Sequence, residues 1–206
     1  MTDHLILHQY TPSGNCYKIR LTAACLGIPL ATREYGILKG ETRTPAFLAT
    51  VNANGRIPVL QVGDRMLPES NAACFYLADG SKLIPADRFE RADMLRWMFW
   101  EQYNHEPNIA TLRFWRAYLG EDALGPEQRR AIPVKQAGGE EALALMDARL
   151  ARAPFLVGEA FTLADIVLYA YTHVADEGGF DLARYPAVTA WLARVAGQTG
   201  HVPLAG

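Results

Sequence analysis

Pro58-Val59-Leu60-Gln61-Val62, then Gly63-Asp64, then Arg65-Met66-Leu67, is the stretch on which the fold turns. Two short apolar runs around a Gly-Asp pair predict a β-hairpin, because glycine supplies the backbone freedom a two-residue reversal needs. Directly after it, Ser70 opens a helix containing the apolar run Ala72 to Ala78, and Gly80 ends it. Upstream, Leu5-Ile6-Leu7 reads as a short buried strand, and Pro12-Ser13-Gly14-Asn15 punctuates. Ser13 or Asn15 caps a helix whose apolar face carries Ile19, Ala23 and Leu26, with Gly27 and Pro29 as its stop. Ala31 to Tyr35 is a second strand, and the polar stretch Gly36 to Thr44 a loop. Pro45 suits the first turn of a short helix toward Thr50. Residues 1–80 thus run β-α-β-α-β-β-α, a mixed α/β domain.

Beyond Gly80 no strand pattern recurs. Residues 81–87, with Pro85, read as a linker, and residues 88–206 as an all-helical domain. Arg88 to Leu119 carries apolar side chains at helical spacing and should kink at Pro107, which lacks the donor a helix interior needs. Ala131 to Arg152 is a second helix, weakened at Gly138-Gly139. Thr162 and Asp165 form the start signal of a third, with Phe161 and Ile166 placed as a hydrophobic staple. Tyr185-Pro186 to Val195 is the last helix.

The composition excludes several classes. Half of the 206 residues are hydrophobic, so a core is available and disorder is not. Twenty basic against 22 acidic residues, a formal charge of −2, favour neither nucleic acid nor an anionic membrane surface as partner. The longest apolar run, Ala72 to Ala78, is far short of a membrane span, and no secretory signal is visible. Three cysteines, Cys16, Cys25 and Cys74, form no Cys-x-x-Cys pair, which argues for a cytoplasmic location and against structural zinc. His105-Glu106 lacks a second histidine at helical spacing, so no metal is expected there either.

Four features occur in order along the chain: the turn Tyr10-Thr11-Pro12-Ser13-Gly14-Asn15-Cys16-Tyr17-Lys18, the stretch Asn52 to Leu60 with Ile57-Pro58, the dipeptide Glu69-Ser70, and the Thr162–Asp165 cap. Together they resemble the soluble glutathione transferase superfamily, over essentially the whole chain. The resemblance implies a thioredoxin-like first domain that holds glutathione as co-substrate and a helical domain that supplies the pocket for a small electrophile. It also implies a homodimer. It implies a cis Ile57-Pro58 bond, with the backbone of Ile57 pairing with the cysteinyl unit as a short strand. Glu69 and Ser70 would grip the ammonium and carboxylate of the γ-glutamyl end, the latter at a helix N-terminus. Lys39 and Arg56 are candidates for the glycine carboxylate, and Tyr103, Asn104, Asn108 and Arg113 for the electrophile pocket.

Catalysis needs the glutathione thiolate. A free thiol has a pKa of about 8.5, and lowering it by about two units takes roughly 2.7 kcal/mol. One hydrogen bond to a charged group is worth roughly 1.5–3 kcal/mol and a helix N-terminus about 0.3–1, so a neutral donor at the head of the first helix is adequate. Ser13 fits the serine-type position, with Asn15 as an amide near the sulfur. Tyr10 and Thr11 are second choices, their plain reading being a strand-end aromatic and a turn residue. Ser13-x-x-Cys16 sits where thioredoxins carry two cysteines, but the attacking one is absent; Cys16 could form a mixed disulfide or simply be buried. His8 reads as packed. The leading expectation is an enzyme that conjugates glutathione to a hydrophobic electrophile. The alternatives are a non-catalytic glutathione-binding or regulatory module, and a glutathione-dependent peroxide or disulfide reductase.

Overall fold

The computed structural model describes residues 4–204. Its contacts divide the chain into two compact units, one running through Ser81 and the other Lys82–Gly197, and residues from Gln198 onward cluster with the first. The first unit holds β1 (Leu5–Gln9), α1 (Gly14–Cys25), β2 (Ala31–Glu34), α2 (Pro45–Thr50), β3 (Val59–Val62), β4 (Arg65–Pro68) and α3 (Ser70–Ala78). The expected β-α-β-α-β-β-α order is therefore observed. The sheet order is β2-β1-β3-β4, with β1 parallel to β2 and antiparallel to β3. Leu7 lies opposite Leu60, and both are fully buried.

The hairpin closes where the sequence placed it: Val62 pairs with Arg65 across Gly63-Asp64, and Gly63 has a φ of +58°. A positive φ at the first of two turn residues matches the strand twist, and there glycine is needed. The strand β2 is exposed along its length, as suits a polar edge. Tyr17, Ile19 and Leu21 of α1 and Ala73 and Cys74 of α3 are buried, so these two helices form the core with the sheet.

The second unit holds α4 (Arg88–Trp100), α5 (Glu106–Arg113), α6 (Pro126–Leu150), α7 (Leu163–Thr172) and α8 (Pro186–Ala196). Between α4 and α5 the chain passes through a π-helical segment, Glu101–His105, just ahead of Pro107. The expected kink thus takes the form of a wider turn, which accommodates a ring that cannot donate to the preceding turn. All ten residues of α7 are buried, so this apolar helix is the centre of the unit.

Three expectations need correction. The helix α6 starts at Pro126 rather than Ala131 and runs unbroken through Gly138-Gly139. There the glycines give clearance: a Cβ at Gly139 would lie 2.4 Å from the Phe180 ring, and one at Gly138 2.7 Å from the Asn108 amide. Second, residues 81–87 are not a free linker, since Leu83 is 1% exposed and its carbonyl accepts from Leu163 N–H at 3.0 Å. Third, the helical unit ends at Gly197. Residues 198–204 return to α1, where Tyr17 Oη donates to the Val202 carbonyl at 2.6 Å.

Candidate functional site

The site begins where β1 hands over to α1. Ser13 is the N-cap of α1, with extended backbone and a hydroxyl that accepts from Cys16 N–H at 3.4 Å. That bond uses an oxygen lone pair and leaves the Ser13 proton to donate elsewhere. Two residues on, Asn15 Oδ1 accepts from Ser70 Oγ at 3.0 Å. Ser70 is the first residue of α3, so this bond ties together the N-termini of α1 and α3, two regions of positive potential. Ser70 is thereby brought, from 55 positions away, to Asn15 and the turn that carries Ser13.

Glu69, immediately before α3, is exposed and has a φ of 75°, the one non-glycine residue in the left-handed region among the described residues. Such a conformation costs about 1–3 kcal/mol and points to a functional constraint. Nothing in the sequence signalled it, since glutamate carries no preference for that conformation. The Ile57-Pro58 bond is cis, as the resemblance implied, and leads into β3. Arg56 and Lys39 are both exposed; Lys39 sits in a short 3-10 turn, Ile37–Lys39. Arg43, which the sequence reading passed over, reaches across the same loop to the Asn54 carbonyl at 3.1 Å.

Of the alternatives to Ser13, Thr11 has its hydroxyl committed elsewhere. Thr11 donates its hydroxyl to the Glu34 carboxylate at 3.1 Å, and its N–H donates to the same group. That makes Thr11 a loop anchor. Tyr10 is half-buried, and its N–H donates to Cys16 Sγ at 3.4 Å. Burial pushes the Cys16 thiol up to about 11, so at neutral pH it is not a thiolate and the buried, inert reading holds. His8 is packed as expected: Tyr35 Oη lies 2.8 Å from Nδ1 and Gln61 Oε1 2.9 Å from Nε2. Because Gln61 Oε1 can only accept, Nε2 donates to it.

In the helical unit the four pocket candidates separate. Tyr103 is 87% exposed and Asn104 is exposed beside it. Asn108 is half-buried, donating Nδ2 to the Asn104 carbonyl at 2.7 Å beneath Gly138. Arg113 is buried, paired through Nε to Glu177 Oε2 at 2.7 Å and lying over the Tyr118 ring. It clamps α5 to the 3-10 turn Ala175–Gly178, which removes it from the electrophile candidates. Among the described residues no cluster of three or more metal-ligating side chains occurs, and no helix is long and apolar enough to cross a membrane.

The models of the glutathione S-transferase N-terminal and C-terminal domains match residues 4–79 and 114–199. The chain belongs to the glutathione S-transferase family. Among solved structures of this family, a Pseudomonas fluorescens glutathione S-transferase is 47% identical with a TM-score of 0.92, covering 98% of each chain. A theta-class glutathione S-transferase from Xanthomonas axonopodis, solved with glutathione bound, is 30% identical with a TM-score of 0.85 over 96% of this chain and 95% of that one. Glutathione S-transferase F14 of Arabidopsis thaliana is 33% identical over 77% of this chain, which spans 66% of that relative's length.

Proposed function

We propose that the chain is a serine-type glutathione transferase, in which the thiolate of bound glutathione attacks a small hydrophobic electrophile. The observation that carries this reading is the junction of two helix N-termini, α1 and α3, joined by the 3.0 Å Ser70–Asn15 bond beside the Ser13 cap. Ser13 donates its proton to the sulfur, and the two N-termini add favourable potential. No base is required: the thiol proton leaves to solvent, sulfur forms a bond to the electrophilic carbon, and the leaving group departs with its electron pair. The backbone of Ile57 pairs with the cysteinyl unit. Glu69 takes the α-ammonium, and the first amides of α3, with Ser70 between them and Asn15, take the α-carboxylate. Lys39 and Arg56 remain for the glycine carboxylate, and Tyr103 and Asn104 are the solvent-facing candidates for the electrophile.

A cytoplasmic homodimer is the form we infer. In support, Phe89 and Phe99 are 80% and 71% exposed on α4. They lie ten residues apart, on one side of the helix, where a partner surface would remove them from water. Cys16, Cys25 and Cys74 form no disulfide, which suits a reducing compartment.

The test is turnover of glutathione with an activated aryl halide. Ser13→Ala should lower kcat about ten-fold or more while the KM for glutathione stays within about three-fold, as expected when an interaction that stabilises the thiolate is lost. Unchanged kcat would transfer the role to Tyr10. Retention on immobilised glutathione without turnover of any electrophile would favour the binding-module alternative.

A further inference from the structure

The loop between β1 and α1 is pinned on every side, and one of the pins belongs to the end of the chain. Thr11 uses its N–H and hydroxyl on Glu34, its hydroxyl also accepts from Gln9 Nε2 at 3.3 Å, and its carbonyl accepts from Arg20 Nη2 at 2.8 Å. The other guanidinium nitrogen, Arg20 Nη1, donates to Gln9 Oε1 at the end of β1. Arg20 Nη2 donates also to the Leu204 carbonyl. One planar group on α1 thus joins the last residue of β1, the loop that carries Ser13, and the carboxy-terminal tail.

The tail is itself held against α1 by independent contacts. Tyr17, fully buried, donates to the Val202 carbonyl, and His201 Nε2 lies 3.3 Å from the same phenol oxygen. Gly200, at a φ of +82°, passes so close to the end of α1 that a Cβ there would lie 2.5 Å from the Ala24 carbonyl oxygen. Only glycine fits both the conformation and the clearance.

We propose that the carboxy-terminal tail is a strap that fixes the Ser13 hydroxyl, acting through Arg20 as a positioning residue. The strap rests on the reading of Ser13 as the donor to glutathione. Its physical basis is preorganisation: a donor acts on a developing charge only when it is held in place beforehand, and small displacements weaken it steeply. Arg20 is suited to the task because its fork can serve several carbonyl acceptors in one plane. With the tail gone, the guanidinium loses one fixed acceptor and the Thr11 carbonyl loses a fixed donor.

The experiment measures, against pH, the ultraviolet absorbance of the glutathione thiolate bound to the enzyme, together with kcat and KM. Deletion of residues 199–206 should raise the apparent pKa of the bound thiol by about one unit and so lower kcat about three-fold at pH 7, with the KM for glutathione within about two-fold. Arg20→Gln should give the same shift, and the two changes combined should give no more than either alone, because both remove one path. Additive effects, or an unshifted pH profile in Arg20→Gln, would overturn the strap. Gly200→Ala displaces the tail in a full-length chain and carries the same expectation if the deletion variant fails to fold; an unchanged profile in it overturns the proposal. The wild-type protein separates the two levels of inference. If its bound thiol titrates like free glutathione, the Ser13 reading fails and the strap with it; if the wild-type value is lowered and the variants match it, the strap alone fails.

Discussion

Replacing Asp165 with alanine should do more damage than the loss of an ordinary helix cap, which costs about 0.5–2 kcal/mol. The carboxyl is fully buried and accepts four hydrogen bonds. Thr162 N–H donates at 2.9 Å and Thr162 Oγ1 at 3.2 Å, Leu156 N–H at 3.0 Å, and Trp191 Nε1 at 2.9 Å. Alanine would strand two backbone N–H groups and an indole N–H away from water, each worth about 1–3 kcal/mol when left unpaired. With partial relaxation the expected loss at pH 7 is about 2–4 kcal/mol, a fall in Tm of roughly 5–15 °C for a chain of this size. The pH dependence sharpens the test. Burial pushes the Asp165 carboxyl up from its ordinary 3.8 to about 6, against the pull of its donors. A folded-state value above the unfolded one means that the folded protein holds a proton the unfolded chain has released between those pH values. The associated stability is fully present below about 4 and is lost as pH rises through about 6. Alanine has nothing to titrate, so the gap between wild type and Asp165→Ala should be wider at pH 4 than at pH 7, by an amount of order 2–3 kcal/mol. Denaturant melts of both proteins at several pH values would show it. A gap that is flat, or that widens as pH rises, would refute the claim that desolvation outweighs the four donors.

Three further changes probe the functional and the packing arguments separately. Glu69→Gln keeps the backbone and removes the charge, so glutathione affinity by calorimetry should fall about ten-fold with little change in Tm, the usual scale for a charge-assisted contact. Glu69→Gly should lose the same affinity yet gain about 1 kcal/mol of stability, because glycine accepts a φ of 75° without strain. Gly139→Ala should destabilise the protein by about 1–3 kcal/mol, since its Cβ would meet the Phe180 ring at 2.4 Å, and denaturant unfolding checks it.

The elements that were legible in the sequence are those set by local rules. The β3–β4 hairpin follows from Gly63-Asp64 between two apolar runs, the start of α3 from Ser70, and the start of α7 from the Thr162–Asp165 cap. What escaped depended on partners distant in sequence. Gly138-Gly139 reads as a weak point on propensity alone, and only the approach of Asn108 and Phe180 shows that small residues are required there. Arg113 reads as a polar group near a kink, and its pairing with Glu177, 64 positions on, could not be seen. Arg20 and Glu34 were missed for the same reason: no local pattern marks an arginine whose acceptors lie at residues 9, 11 and 204.

The distribution of hydroxyl protons gives the sharpest reason to prefer Ser13 as the donor. Around the junction of α1 and α3, the Thr11 hydroxyl gives its proton to Glu34, Tyr17 to the Val202 carbonyl, and Ser70 to Asn15. Each bond fixes a backbone segment, so diverting that proton to a ligand would loosen the segment it holds. Ser13 differs because its hydroxyl takes part in the helix cap as an acceptor. A sulfur anion placed before α1 would accept the Ser13 proton without dissolving the cap, and the added bond would polarise the oxygen that Cys16 N–H already contacts. Cap and donor are therefore compatible in one side chain, which is a property of serine that alanine, valine and a buried thiol do not share.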